Sequence, residues 1–513
     1  MAKRNLLAKS AIVGFICLLF FIPYYGLYQN FKNVPSDRYY FGSVDNAIDV
    51  VGNLDTVRQG YLGQWKRSPN KSTAVRGYAS FLKIEYILIG QAARLFRIDP
   101  VLAYFIFRTI LSLASVVAIF VIVTRVIPTW WGRVIALLFI FFGTGITESW
   151  HTWPTRIMDS MPGDTLVFQR LTTAAPHYLL GTLLPLLSMY FLSRNRIFLA
   201  SIFGFIGTFI YSPSMLLVIG SAWLLFLKNQ KIRPALILYS IMSVLPLLYI
   251  QYVSRYWDFN LFSKTEFVVP FRIQIGQYFY VVAVPYILSL FSIPEILKKK
   301  DPLLLLFLPW IIMHPVFTLV VSKILAINPS RFFFGPYFVV FGILAYFGIK
   351  QLNKVIVIAV ISLMLLASTI SYGASLNYTK TCFCLVQYFD YGYPKKDLME
   401  AIFWLRDNTK ADEIVLSGSY AGVLIPAFSG NRVYTSWWLR IMNEELFTKL
   451  DEESRQFYSG SLDVLKARDF LRKNAIEYII LGEQEKIRDE LMYPNVRAVT
   501  TFGDVRVYQV DTL

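Results

Sequence analysis

Residues 101–124 read VLAYFIFRTILSLASVVAIFVIVT, an apolar run of 24 residues in which Arg108 is the one charge. A bilayer core takes about 20 such residues per helix, so this run has the length and composition of a transmembrane span. The same pattern recurs along the chain. Spans are expected near 10–28, 101–124, 133–147, 177–193, 197–212, 214–227, 234–253, 275–297, 303–325, 332–349 and 355–374, about 11 in all. Tyr211, Ser212 and Pro213 break the run at 197–227 into two short pieces. Composition agrees with this reading. Of the 513 residues 56% are hydrophobic and 16% are charged, where a soluble domain carries about 25% charged residues. That balance excludes a disordered chain, a secreted disulfide scaffold and an ordinary cytosolic enzyme. The fold class is a polytopic α-helical membrane protein.

The formal net charge of +17 does not point to nucleic acid. The cations lie at the ends of apolar runs rather than along one soluble face. One set of alternate connections holds Lys3, Arg4 and Lys9; Arg125 and Arg133; Arg194 and Arg196; Lys228, Lys231 and Arg233; Lys298, Lys299 and Lys300; and Lys350 and Lys354. Basic connections mark the cytoplasmic side. The N-terminus is therefore expected in the cytoplasm of a multi-pass cell-membrane protein, with its first span kept as an anchor. An odd number of spans then puts the C-terminal domain outside.

Two domains follow: a transmembrane module at 1–374, with a large first external loop at 29–100, and an extracytoplasmic α/β domain at 375–513. Within the loop, GYASFLKIEYILIGQAARLFR (77–97) carries Lys83, Glu85, Arg94 and Arg97. A helix so charged lies along an interface rather than across it. In the tail, KKDLMEAIFWLRDNTK (395–410) is an amphipathic helix with Leu398, Ile402 and Leu405 on one face. DEIVLSG is a strand and turn, 443–458 and 462–473 are helices, and AIEYIILG is a buried strand. VRAVTTFG and VRVYQVD form a closing hairpin. Alternating strands and helices predict a partly parallel sheet with helices packed on it.

Chemistry is sought first in PSDRYYFGSVDNAIDVVGNLDTVRQGYLGQW (35–65), which offers Asp37, Asp45, Asp49 and Asp55. A carboxylate just beyond a membrane anchor can take a proton from an acceptor hydroxyl. Aromatic residues are frequent on the same side (Tyr39, Tyr40, Phe41, Trp65, Trp150, Trp153, Trp437, Trp438), as membrane interfaces favour. Cys17, Cys382, Cys384 and the scattered His151, His177 and His314 give no metal framework. Cys382 and Cys384 flank Phe383, where a disulfide would be strained, so they read as free or modified thiols. His151, Glu148 and Asp159 are irregularly spaced. No metal ligand or cofactor is assigned, and a divalent cation stays open.

The spacing of Asp49, Asn53, Asp55 and Gly63-Gln64-Trp65 resembles the first-loop motif of the GT-C membrane glycosyltransferases, a class that includes protein mannosyltransferases and aminoarabinose transferases. The likeness continues along the chain. GQAARLFRIDPVLAYFIFRTILSL resembles the interfacial helix leading into the second span, with Arg108 at the usual Arg position. APHYLLGTLLPLL is similar to a Pro-His motif, here Pro176-His177, and NPSRFFFGPYFVVFGILA to a late span bearing an Arg, here Arg331. WLRDNTKADEIVLSGSYAGVLIPAFSGNRVY, FYSG and FLRKNAIEYIILG resemble the C-terminal domain of uncharacterised bacterial members. Three places depart from the pattern. Asn53 replaces an aromatic residue, no Lys-Pro-Pro occurs near Tyr78–Lys83, and Thr435-Ser436-Trp437-Trp438 stands where related members have Gly-His-Trp.

The resemblance implies a cell-envelope enzyme that transfers a sugar from a polyprenyl-phosphate donor to a hydroxyl of a glycan, lipid or protein acceptor. Asp49 would be the catalytic base, with Asp45 as second choice, and the displacement would invert the anomeric centre. Cations must stabilise the departing phosphate. Arg58, Lys83, His177, Arg272 and Arg331 are the candidates, with Asp55 as a further substrate contact. Two rivals remain. A lipid or polysaccharide flippase or transporter would use ionisable residues within the membrane, of which Arg108 and His314 stand out. A polysaccharide polymerase would place Arg-rich chemistry in a large central loop.

Overall fold

The computed structural model describes residues 2–42, 47–74, 79–143, 175–226, 233–256, 275–324, 327, 329–366, 391–482, 485 and 493–511. Asp45, Arg272, Glu148, Trp150, His151, Trp153, Asp159, Cys382 and Cys384 lie outside the described residues. The chain divides into two compact units. One comprises Met1–Gly26, Arg108–Tyr252 and Glu266–Lys380; the other comprises Leu27–Phe107, Val253–Thr265 and Thr381–Leu513.

Among the described residues four helices are long and apolar enough to cross a membrane: Pro100–Val126, Ile197–Leu225, Pro234–Val253 and Pro302–Ile324. Shorter apolar helices are Trp130–Phe142, Pro176–Leu192, Tyr337–Ile349 and Lys354–Leu366. The expected break at Tyr211 is present. Ile197–Phe226 is two helices joined at Tyr211, whose φ of −148° and ψ of 77° are non-helical. Pro213 lacks the N–H that would carry the ladder through. The bend is sharp: a Cβ on Gly207 would lie 3.0 Å from the Met215 side chain, although residues eight apart on a straight helix are about 12 Å apart. In Pro302–Ile324 a π-helical turn, Phe317–Val321, follows Pro315. At the centre of the unit, every residue of Tyr337–Ile349 is buried. It packs against Ile275–Phe291 and Trp130–Phe142, as a helix apolar all round must.

The basic connections meet one another. Lys9 and Arg133 both lie over the Trp130 ring, at 5.0 and 4.4 Å. Arg125 is 3.1 Å from Asp301, and Lys350 is 3.7 Å from Glu295. These pairs tie together four of the six connections that the charge pattern assigned to one side.

The second unit is built on a sheet of order β2-β1-β3-β5-β4, with β1 at Ile414–Leu416, β2 at Arg432–Val433, β3 at Ile476–Leu481, β4 at Val496–Phe502 and β5 at Val505–Val510. β1 runs parallel to β2 and β3; β5 is antiparallel to β3 and β4. The partly parallel sheet and the closing hairpin are as expected. Helix Lys396–Asn408 buries Leu398, Ile402 and Leu405. Asn443 and Asp463 cap helices Glu444–Tyr458 and Val464–Lys473 by accepting from the N–H groups of Leu446 and Lys466.

The first loop is part of this unit's core. Val51, Leu54 and Val57 cluster with Val423, Leu424 and Ile425 of helix Ala421–Phe428. Helix Ala47–Tyr61 also crosses helix Ile84–Phe96 at backbone contact. A Cβ on Gly90 would collide with the Val57 carbonyl and come within 2.8 Å of Gly60 Cα. Gly90→Ala should therefore cost about 1–3 kcal/mol through forced separation of the helices. Thermal melting of the purified full chain reads this, and an unchanged midpoint would show that the crossing yields freely.

Candidate functional site

Helix Ala47–Tyr61 stops at Gly63, whose φ of 94° is left-handed. The Gly63 N–H donates to the Gly60 carbonyl at 2.9 Å and the Gln64 N–H to the Gln59 carbonyl at 3.1 Å. The Gly-x-Trp of the sequence is thus a helix stop of the kind that favours glycine, followed by an exposed Trp65.

Asp49 and Asn53, four apart, share one face of this helix. Facing them is Lys83, left-handed at φ 59° immediately before helix Ile84–Phe96. Its ammonium donates to Asn53 Oδ1 at 2.8 Å and lies 5.8 Å from the Tyr86 ring centroid. Asn53, a departure from the aromatic pattern, thus anchors a lysine. The whole 77–97 stretch was expected to be helical. The helix starts only after Lys83, so Lys83 lies outside it and Glu85 in its first turn.

The surroundings are densely charged. Burial and the neighbouring Arg67 push the Lys83 ammonium down to about 8, against the opposing pull of Asp49, Glu85 and Asp55. Burial pushes the Glu85 carboxyl up to about 7, opposed by Lys83 and Arg67. Arg67 is itself buried. Its backbone is paired both ways with Ser80, at 2.8 and 2.9 Å, and its Nε has no hydrogen-bond partner among the described residues. No sequence signal singled out Arg67. Asp55 points inward and is buried. It accepts from Gln59 Nε2 at 3.1 Å, while Gln59 also pairs with the Ser68 backbone. Burial raises the Asp55 carboxyl, with Gln59, Arg67, Lys71 and Lys83 opposing.

A pH dependence follows. Glu85 titrates near 7 in the folded chain against 4.5 ordinarily, so the folded state holds the extra proton between those values. Stability contributed by this group is present below pH 4.5 and is lost as pH rises to about 7. Glu85→Gln should therefore stabilise the chain at pH 8 relative to pH 4.5, by up to about 3 kcal/mol. Equal melting shifts at the two pH values would contradict a buried, proton-holding Glu85. Lys83 acts in the opposite window: its burial cost is relieved as pH rises from about 8 toward 10.5.

The tail contributes directly. Trp438 rests on Gly52, where a Cβ would come within 2.8 Å of the indole. The Trp438 Nε1 is buried with no hydrogen-bond partner among the described residues. Ser436 Oγ donates to the Ser72 carbonyl at 2.9 Å, so the Thr435-Ser436-Trp437-Trp438 segment lies on the first loop. Arg58 faces another direction. Its guanidinium reaches the Ser429 carbonyl at 3.5 Å and lies over the Tyr61 ring, and burial lowers its pKa.

Within the membrane unit, two of the sequence's phosphate candidates both neighbour Tyr211. His177 opens helix Pro176–Leu192, and Arg331 lies on the 3₁₀ turn Pro329–Phe334. Tyr211, at the helix break, donates to the Arg331 carbonyl at 2.7 Å. The His177 ring is 6.4 Å from Tyr211 and 3.9 Å from Tyr178, which stacks on Phe334 at 4.0 Å. In the sequence Tyr211 registered only as a break. His314 is fully buried, with Tyr278 OH 2.9 Å from Nδ1 and the Phe332 carbonyl 3.1 Å from Nε2. Both ring nitrogens are thus bonded within the packing, which leaves the transporter reading little use of this histidine. Among the described residues no three His, Cys, Asp or Glu side chains gather as metal ligands.

No family model matches the sequence, and no curated protein matches it. Solved structures do. The archaeal oligosaccharyltransferase AglB from Archaeoglobus fulgidus, in complex with an inhibitory peptide and a dolichol-phosphate, is similar over 92% of this chain and 69% of its own, with a TM-score of 0.53 and 13% identity. The mycobacterial arabinofuranosyltransferase AftD matches 93% of this chain and 41% of its own, with a TM-score of 0.45 and 11% identity. In its fold the chain is similar, over most of its length, to the GT-C membrane glycosyltransferases.

Proposed function

We propose that the chain is a membrane glycosyltransferase that moves a sugar from a polyprenyl-phosphate donor to an acceptor hydroxyl outside the cytoplasm. The observation that carries this reading is the face shared by Asp49 and Asn53, with the Lys83 ammonium held against it. A base and a cation set side by side suit a reaction in which a proton leaves one substrate while negative charge grows on the other. The dolichol-phosphate bound to the archaeal enzyme supports a lipid-linked donor.

In the reaction, Asp49 takes the hydroxyl proton as the acceptor oxygen forms its bond to the anomeric carbon. The bond from that carbon to the phosphate oxygen breaks, and the phosphate departs with the electron pair. One displacement inverts the centre. Lys83, His177 and Arg331 are assigned to the phosphate and headgroup, with Arg272 as a further contact and Asp45 as the reserve base. Asp55 holds the charge balance around Lys83, and Arg58 supports the tail. Acceptors are a glycan, a lipid or a protein.

The test uses purified full chain in nanodiscs with labelled polyprenyl-phosphate sugars and a panel of acceptors. Label should move to an acceptor with inversion. Use of pyrophosphate-linked oligosaccharides alone, or lipid movement without sugar transfer, would overturn the proposal.

A further inference from the structure

In the second unit, helices Glu444–Tyr458 and Val464–Lys473 border a cavity of about 650 Å³, within the ~300–1,000 Å³ of small-molecule sites. Tyr434 is at its floor, fully buried, with its hydroxyl donating to the Glu453 carboxylate. Phe470 meets Tyr434 edge-on at 5.2 Å. Four cations line the cavity, Lys449 from the first helix and Lys466, Arg472 and Lys473 from the second, against the acids Glu453 and Asp469, a balance of +2. Tyr434 engages Glu453, and Lys466 sits 3.2 Å from Asp463. Among the described residues Lys449, Arg472 and Lys473 make no ion pair. Gln456 and Asn474, whose amide nitrogens donate to Glu452 and to the Phe470 carbonyl, add carboxamide oxygens that accept from hydroxyls.

An aromatic wall, amides and cations without acid partners together fit a sugar chain that carries negative charge. A bare anion would not need the aromatic wall, and a neutral sugar would not need the cations. We propose that this groove binds an anionic oligosaccharide, with a sugar ring against Phe470 and its carboxylate or phosphate groups on Lys449, Arg472 and Lys473. The proposal rests on the transferase reading only in taking the occupant for an acceptor.

Binding is measured on the detergent-solubilised full chain by calorimetry, with four probes: an oligogalacturonate hexamer, a phosphorylated hexasaccharide, maltohexaose and inorganic phosphate. At least one charged oligosaccharide should bind ten or more times tighter than maltohexaose and than phosphate, and the preferred one names the source of the charge. The double variant Lys449→Glu, Arg472→Glu changes exposed side chains. It should keep the parent melting temperature and lose at least tenfold in affinity. Equal affinity for maltohexaose, equal affinity for phosphate, undiminished binding by the double variant, or no binding of either charged chain would each overturn the proposal. Asp49→Asn should leave the groove affinity unchanged, so failure of the groove and failure of the transfer chemistry are read separately.

Discussion

Asp49→Asn is expected to lower sugar transfer by about 10²–10⁴-fold, the usual contribution of a positioned general base. The substitution keeps the shape of the side chain and removes its ability to take a proton. Because the loss falls on the transition state, kcat should drop while KM for the lipid donor moves little. Asn53→Ala makes the companion test. It frees the Lys83 ammonium from its 2.8 Å contact without touching the base, so a partial loss is expected, with a larger effect on donor KM. Full transfer by Asp49→Asn would remove the assigned base, and attention would pass to Asp45.

Lys71→Met should give the largest loss of stability. The Lys71 side chain is fully buried. Its ammonium donates to the Gly430 carbonyl and, at 3.1 Å, to the Ala411 carbonyl, and it lies 3.5 Å from Asp412. Burial lowers its pKa, with Asp55 and Asp412 opposing. Methionine has similar length but leaves both carbonyls without their donor. Breaking such a buried contact costs about 3–5 kcal/mol. The drop should appear in thermal melting of the full chain and as faster amide exchange in both the first loop and the tail. Exchange that quickens in the loop alone would show that Lys71 does not couple the two.

The sequence made helices Pro100–Val126, Pro234–Val253 and Pro302–Ile324 legible because their apolar runs reach bilayer length. It also made legible the tail's mixed sheet, since β3 and the β4–β5 hairpin are continuous β-rich runs. The break at Tyr211 was visible in Ser212-Pro213. The partnership of Tyr211 with Arg331 was not, because 120 residues separate them and no local pattern encodes the contact. The acid face of Asp49 could be read from helical spacing and family likeness. Arg67 and Lys71 could not: each is an ordinary basic residue in a polar loop, and the partners of Lys71 lie far off in the tail. Asn53 shows the same limit in reverse. Measured against a motif it was a departure; in the structure it meets a lysine 30 residues away.

The Lys71 clasp joins segments 340 and 359 residues apart. At about 5–20 residues per second, a ribosome needs roughly 20–70 s to make the second after the first. For that interval the nascent helix Ala47–Tyr61 lacks its packing on helix Ala421–Phe428, and the Lys71 ammonium lacks its carbonyl partners. Maturation thus waits on the synthesis of Ala411 and Gly430, and a stop codon before them should yield a chain that is cleared by proteolysis.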